Sequence, residues 1–241
     1  MLYNKVMINN NKIEICLGNV QDVKTLNKYP VDRIELNSAL ELGGLTPSLN
    51  TLIKAKALTN IPIVCMVRCR GGNFNYTDEE YEVMYNDAKA LLESGADGIV
   101  FGFLNADNTF NEKQMIRFVK LAKEYGKEAV CHKAFDDMKS DIYQDVEKLI
   151  SFGIDRLLTS ARAIYPDIIT GAKVIGELNK KYGNQIELLP GGGIRIENVI
   201  DVYNICNTKQ AHMTSKKTYD GNYIGLDEDQ LIKLIEQIKK I

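Results

Sequence analysis

Eight short β-forming runs alternate with longer stretches of helical spacing, which restricts this chain to a parallel sheet connected by helices. The runs are Lys12–Leu17, Arg33–Asn37, Ile61–Arg68, Gly98–Phe103, Glu128–Lys133, Arg156–Ser160, Glu187–Pro190 and Gln210–Thr214. Between them lie amphipathic stretches such as Asp78–Ser94, Asn111–Tyr125, Asp141–Phe152 and Pro166–Tyr182, with a last one over Asp227–Ile241. In Asn111–Tyr125 the residues Met115, Phe118, Val119 and Ala122 recur on one helical face. Thr77 followed by Glu80 has the spacing of a capping box. Gly95 and Gly153 stand where helices end before the next run, a place that favours φ > 0. At 241 residues, eight such units match the usual length of a (β/α)8 barrel, about 250 residues. We expect one α/β (TIM-type) barrel over residues 1–241. A doubly wound open sheet is the alternative, because strand patterning alone does not show closure.

Composition narrows the function classes. Hydrophobic residues make up 45% and charged residues 26% of the chain, enough apolar surface for a large core. A net charge of −2 gives no general attraction to nucleic acid or to anionic membrane. No apolar run reaches membrane-spanning length, and Met1–Lys12 has no signal-peptide core, so a cytoplasmic protein is expected. The five cysteines, Cys16, Cys65, Cys69, Cys131 and Cys206, are an odd number without a CxxC pair, which argues against a disulfide framework. His132 and His212 are the only histidines, too few for a three-histidine zinc site.

In a barrel of this kind the chemistry collects at the C-terminal ends of the strands. Those positions carry Glu14 and Cys16, Glu35 and Asn37, Arg68 and Arg70 with Gly71-Gly72, Gly102, His132, Thr159-Ser160, Gly191-Gly192-Gly193 and Thr214-Ser215-Lys216. Alternation along a strand puts Glu14 with Cys16, and Glu35 with Asn37, on the face opposite Ile13, Ile15, Ile34 and Leu36. The polar set therefore faces the barrel interior. One reading is an ion-pair network, Glu14 and Glu35 against Arg68 and Arg70. The other is a site for a small anion, with Glu14, Glu35, Arg68 and His132 as the catalytic set. In that site Arg68, Arg70, Gly191, Gly192, Gly193, Ser160 and Ser215 bind the ligand. The glycine run either cradles phosphate or makes a tight turn. His132 is either an acid–base group or a hydrogen-bonded core residue, and His212, inside the last run, is expected to be structural. Cys65, Cys69 and Cys131 are expected to be buried, with a lowered thiol pKa conceivable for Cys69 between two arginines.

Several segments then resemble the CutC family in order along nearly the whole chain. Asp32-Arg33-Ile34-Glu35-Leu36 with Gly43-Gly44-Leu45-Thr46-Pro47-Ser48 is similar to the family's second unit. Arg68-Cys69-Arg70-Gly71-Gly72-Asn73-Phe74 resembles its R-P-R-G-G-D-F segment, and His132-Lys133-Ala134-Phe135-Asp136 its H-R-A-F-D. Arg156-Leu157-Leu158-Thr159-Ser160 and Pro190-Gly191-Gly192-Gly193-Ile194 complete the set. The resemblance implies a cytoplasmic (β/α)8 homo-oligomer concerned with copper homeostasis and binding Cu(I), with Cys16 as the metal ligand. Asn37 stands where the family's second copper cysteine would be, and an amide is a poor substitute for a thiolate. Two functions follow as expectations: copper homeostasis through Cu(I), or an enzyme acting on a small phosphorylated or carboxylated metabolite.

Overall fold

The computed structural model describes residues 10–162 and 167–241. Eight parallel strands form the barrel wall: β1 (Lys12–Leu17), β2 (Arg33–Leu36), β3 (Ile63–Met66), β4 (Gly98–Phe101), β5 (Glu128–Cys131), β6 (Arg156–Thr159), β7 (Glu187–Pro190) and β8 (Gln210–Met213). Each pairs with its sequence neighbour, and β1 also pairs with β8. The last gap, between β7 and β8, is spanned by a single parallel bridge from Gly191 to His212. The expected barrel is therefore observed, nearly closed, and the open sheet is excluded.

Helices α1 (Val20–Leu26), α2 (Leu49–Lys56), α3 (Asp78–Glu93), α4 (Glu112–Glu124), α5 (Ile142–Phe152), α6 (Ile168–Tyr182), α7 (Val199–Cys206) and α8 (Glu228–Ile238) surround the strands. Pro166, in the expected start of α6, lies outside the described residues. The capping box forms: the Thr77 hydroxyl accepts from the Glu80 amide, and the Glu80 carboxylate accepts from the Thr77 amide. Gly95 and Gly153 both adopt φ > 0. One element was not anticipated. After β8 the chain makes an antiparallel hairpin, β9 (Lys216–Tyr219) and β10 (Asn222–Leu226), before entering α8. No helix among the described residues is long and apolar enough to cross a membrane.

Two cores result from strand alternation. The outward faces of the strands pack against the helices in one continuous apolar cluster that includes Ile13, Ile15, Ile34, Leu36, Phe101 and Phe118. Val64, Met66, Val100 and Val130 form a separate, smaller cluster inside the barrel. Apart from Leu158 and Leu189, most of the remaining interior is polar, and it is stabilised by pairing. At the N-terminal end Arg156, buried, donates to Glu128 at 2.9 and 3.0 Å and to Glu187 at 2.9 Å. One level higher, buried Arg33 pairs with Glu14 and reaches Gln210 at 3.2 Å. The other Glu14 oxygen accepts from His212 Nδ1 at 2.6 Å. Burial opposes ionisation of Glu14, but Arg33 and His212 overcome it and hold its pKa at about 2.

Removing Glu14 would leave Arg33 buried without its counter-charge, so Glu14→Gln is expected to cost about 3–5 kcal/mol in urea unfolding at neutral pH. Because the folded pKa is depressed, the stabilisation is complete above the ordinary value of 4.5 and is lost as pH falls towards about 2. The gap between native protein and variant should close across that window.

Candidate functional site

A cavity of about 190 Å³ opens at the C-terminal end of the barrel. Alternation aims side chains from six of the strands and their C-terminal ends into it: Cys16, Glu35 and Asn37, Met66 and Arg68, His132, Leu158, and His212 with Thr214. The loops contribute Leu40, Gly43, Phe74, Lys133 and Lys216.

The wall made by β8, β1 and β2 carries potential metal donors. One ligand atom each from Cys16, Glu35 and His212 lies within 4.8 Å of the others. Since Nδ1 of His212 is engaged by Glu14, Nε2 is the nitrogen left to a metal, in the carboxylate–imidazole arrangement that orients such ligands. Burial disfavours charge on His212, yet Glu35, Cys16 and Glu14 raise its pKa well above the ordinary value. Glu35 is itself raised, by burial and by the neighbouring Glu14. Asn37 fixes Glu35 by donating to its carboxylate at 2.8 Å.

The opposite wall carries hydrogen-bond donors. Arg68 is buried, and its guanidinium donates to three loop carbonyls, Leu42 at 3.0 Å, Gly44 at 3.4 Å and Gly72 at 2.8 Å. It also stacks on Phe74, 4.8 Å from the ring centroid. The Phe74 ring lies 4.8 Å from the His132 ring. His132 Nδ1 accepts the Ala134 amide at 3.1 Å, which assigns the ring proton to Nε2. Burial, reinforced by Arg68, lowers the His132 pKa to about 3, so the ring is neutral.

The structure thus brings together Cys16, Glu35, Arg68 and His132 and places the other expected residues elsewhere. Glu14 sits behind His212, beneath the cavity floor. The expected network of Glu14 and Glu35 against Arg68 and Arg70 is not formed. Arg33 and His212 take Glu14, while Arg70 turns outward to Glu80 at 2.5 Å, because β3 ends at Met66 and its alternation stops. Ser160 bonds to Asp136 at 2.9 Å and Ser215 to the Asp227 carbonyl at 2.7 Å. Gly191 joins the bridge to β8, and a Cβ on Gly192 would stand 2.5 Å from Lys133 Nζ. Neither these two nor Gly193 lines the cavity. For Cys69 the expectation is reversed: partial burial and Glu80 push its thiol pKa up. His212, expected to be structural, belongs to the cavity. The same alternation that exposed Cys16 would have found it, since Gln210, His212 and Thr214 share one face.

The CutC family model matches residues 11–217. The chain belongs to the CutC family. It is 41% identical over 208 residues to the CutC protein of Treponema denticola, covering 86% of this chain and 82% of the relative. The crystal structure of the copper homeostasis protein CutC from Streptococcus agalactiae superimposes with a TM-score of 0.78 at 31% identity, over 84% of this chain and 97% of that one. Phosphoribosyl anthranilate isomerase from Thermococcus kodakaraensis, at 16% identity and a TM-score of 0.62 over 95% and 98% of the two chains, shares the fold alone. The three donors could hold a single metal ion through one thiolate, one imidazole and one carboxylate. Only one of the three donors is a cysteine sulfur, and the neighbouring Asn37 supplies an amide.

The ring of His132 depends on Gly102, where a Cβ would stand 2.7 Å from His132 Cε1 and 2.8 Å from Ala134 Cβ. Gly102→Ala should therefore displace the ring, cost about 1–3 kcal/mol in urea unfolding, and shift the His132 imidazole resonances while sparing those of His212.

Proposed function

We propose that this CutC protein takes part in copper homeostasis by binding one Cu(I) ion as cargo at the barrel mouth. Cys16 and His212 are the principal ligands and Glu35 is the third. The observation that supports this reading is the convergence of those three donors within 4.8 Å at the end of an open cavity. Soft Cu(I) favours the thiolate, imidazole is a good second donor, and the carboxylate is the weakest of the three. Glu14 holds the His212 ring in the ligating orientation, and Asn37 holds the Glu35 carboxylate. The proposal also places the protein in the cytoplasm, where its five free cysteines remain reduced.

The test is an anaerobic Cu(I) titration against a competing chelator. The native protein is expected to bind one ion per chain. Cys16→Ser and His212→Gln should each weaken binding by about 10- to 100-fold, the loss of one strong polar contact. Asn37→Cys should tighten it by supplying a second thiolate. Unchanged affinity in both ligand variants would remove the site from the barrel mouth.

A further inference from the structure

The donor wall of the cavity is not used by the metal reading, and its chemistry is of a different kind. Arg68 is 5% exposed, and no carboxylate among the described residues pairs with its guanidinium, whose hydrogen-bond partners are neutral carbonyls. Asp137, exposed on the turn after β5, lies close enough to feel that charge but does not pair with it. Arg68 Nε has no partner of normal hydrogen-bond geometry. The Tyr76 hydroxyl is near the guanidinium, but a hydroxyl does not balance a charge. A buried cation without a counter-ion is costly, so the site favours an anion. His132 points the same way. Its Nε2 carries the ring proton and is buried without an acceptor among the described residues.

On the β2 side of the same cavity stand atoms that accept. Among the described residues, Asn37 Oδ1 and Glu35 Oε1 are buried with no donor, and the Thr214 hydroxyl is likewise unpartnered. A molecule that satisfies both sides presents an anionic group at one end and hydroxyl hydrogens at the other. Size limits it further. A cavity of about 190 Å³ holds about six waters at roughly 30 Å³ each, which is room for a molecule of roughly six to eight non-hydrogen atoms. Two donors, one from Arg68 and one from His132, suit the two oxygens of a carboxylate. A phosphate presents four oxygens to these two donors, and the backbone of Gly191–Gly193 does not line the cavity to take the others.

We propose that the barrel mouth also binds a small hydroxycarboxylate, with its carboxylate held by Arg68 and His132 and a hydroxyl donated to Asn37. This site goes beyond the Cu(I) reading and does not depend on it.

Calorimetric titration of metal-free protein, kept in a copper chelator, separates the two. The probes are glycolate, lactate and glycerate, with glycerol and inorganic phosphate as controls. At least one hydroxycarboxylate should bind saturably with one molecule per chain, and more tightly than either control. Arg68→Gln removes the charge. His132→Asn keeps an acceptor for the Ala134 amide but removes the Nε2 donor, so it carries the test alone if Arg68→Gln does not fold. Each variant should weaken binding by about 10- to 100-fold, the loss of one charge-assisted contact. No saturable binding of any of the three acids, tighter binding of phosphate, or native affinity in His132→Asn would overturn the proposal.

Discussion

Glu14 is the side chain on which the rest of the interior depends. Its carboxylate is shared between Arg33, towards the N-terminal end of the barrel, and His212, which lines the mouth. A barrel interior that carried Glu14, Arg33, Glu35, Arg156 and His212 unpaired would be too costly to desolvate. With Glu14 ionised, Arg33 is balanced and the His212 ring is fixed with Nε2 towards the cavity, where a metal would displace its proton. The same contact therefore closes the polar core and orients the wall of potential metal donors. Stability and site chemistry are coupled through one carboxylate.

Pairing in this molecule is complete at one end and incomplete at the other. Arg156 sits between Glu128 and Glu187, and Arg33 meets Glu14 and Gln210. At the mouth, Arg68 and His132 are held in place by backbone groups, the loop carbonyls for one and the Ala134 amide for the other. Their positions are fixed without a partner charge. Such fixed but unbalanced groups are what a binding site presents to its ligand. The division of the cavity into a β8–β1–β2 wall of metal donors and a β3–β5 wall of hydrogen-bond donors follows from which strand each residue happens to end.

Much of this was legible in the sequence. The period-two pattern of β1 and β2 put Cys16, Glu35 and Asn37 inside, and the eight repeated units gave the barrel with its helices. What the sequence could not reveal was which polar residues meet. Glu14 finds Arg33 and His212 because strand register aligns them across neighbouring strands, one of them nearly two hundred residues away. Arg70 would share a face with Arg68 only if β3 ran on past it, whereas the strand stops at Met66 and Arg70 reaches Glu80 on α3. The hairpin after β8 did leave a signal: Asp220-Gly221 between two β-prone runs is a turn of the kind that joins antiparallel strands.

Because the chain has only two histidines, one spectrum reads both walls of the cavity. The nitrogen chemical shifts of the two imidazoles, followed in metal-free protein from pH 8 to pH 4, test most directly whether the interior is paired as described. The account predicts one ring, His132, that stays neutral with its proton on Nε2 throughout, consistent with a pKa of about 3. It predicts a second ring, His212, that titrates above the ordinary histidine value, because Glu35, Cys16 and Glu14 outweigh the effect of its burial. Two rings titrating together near the ordinary histidine value would contradict it.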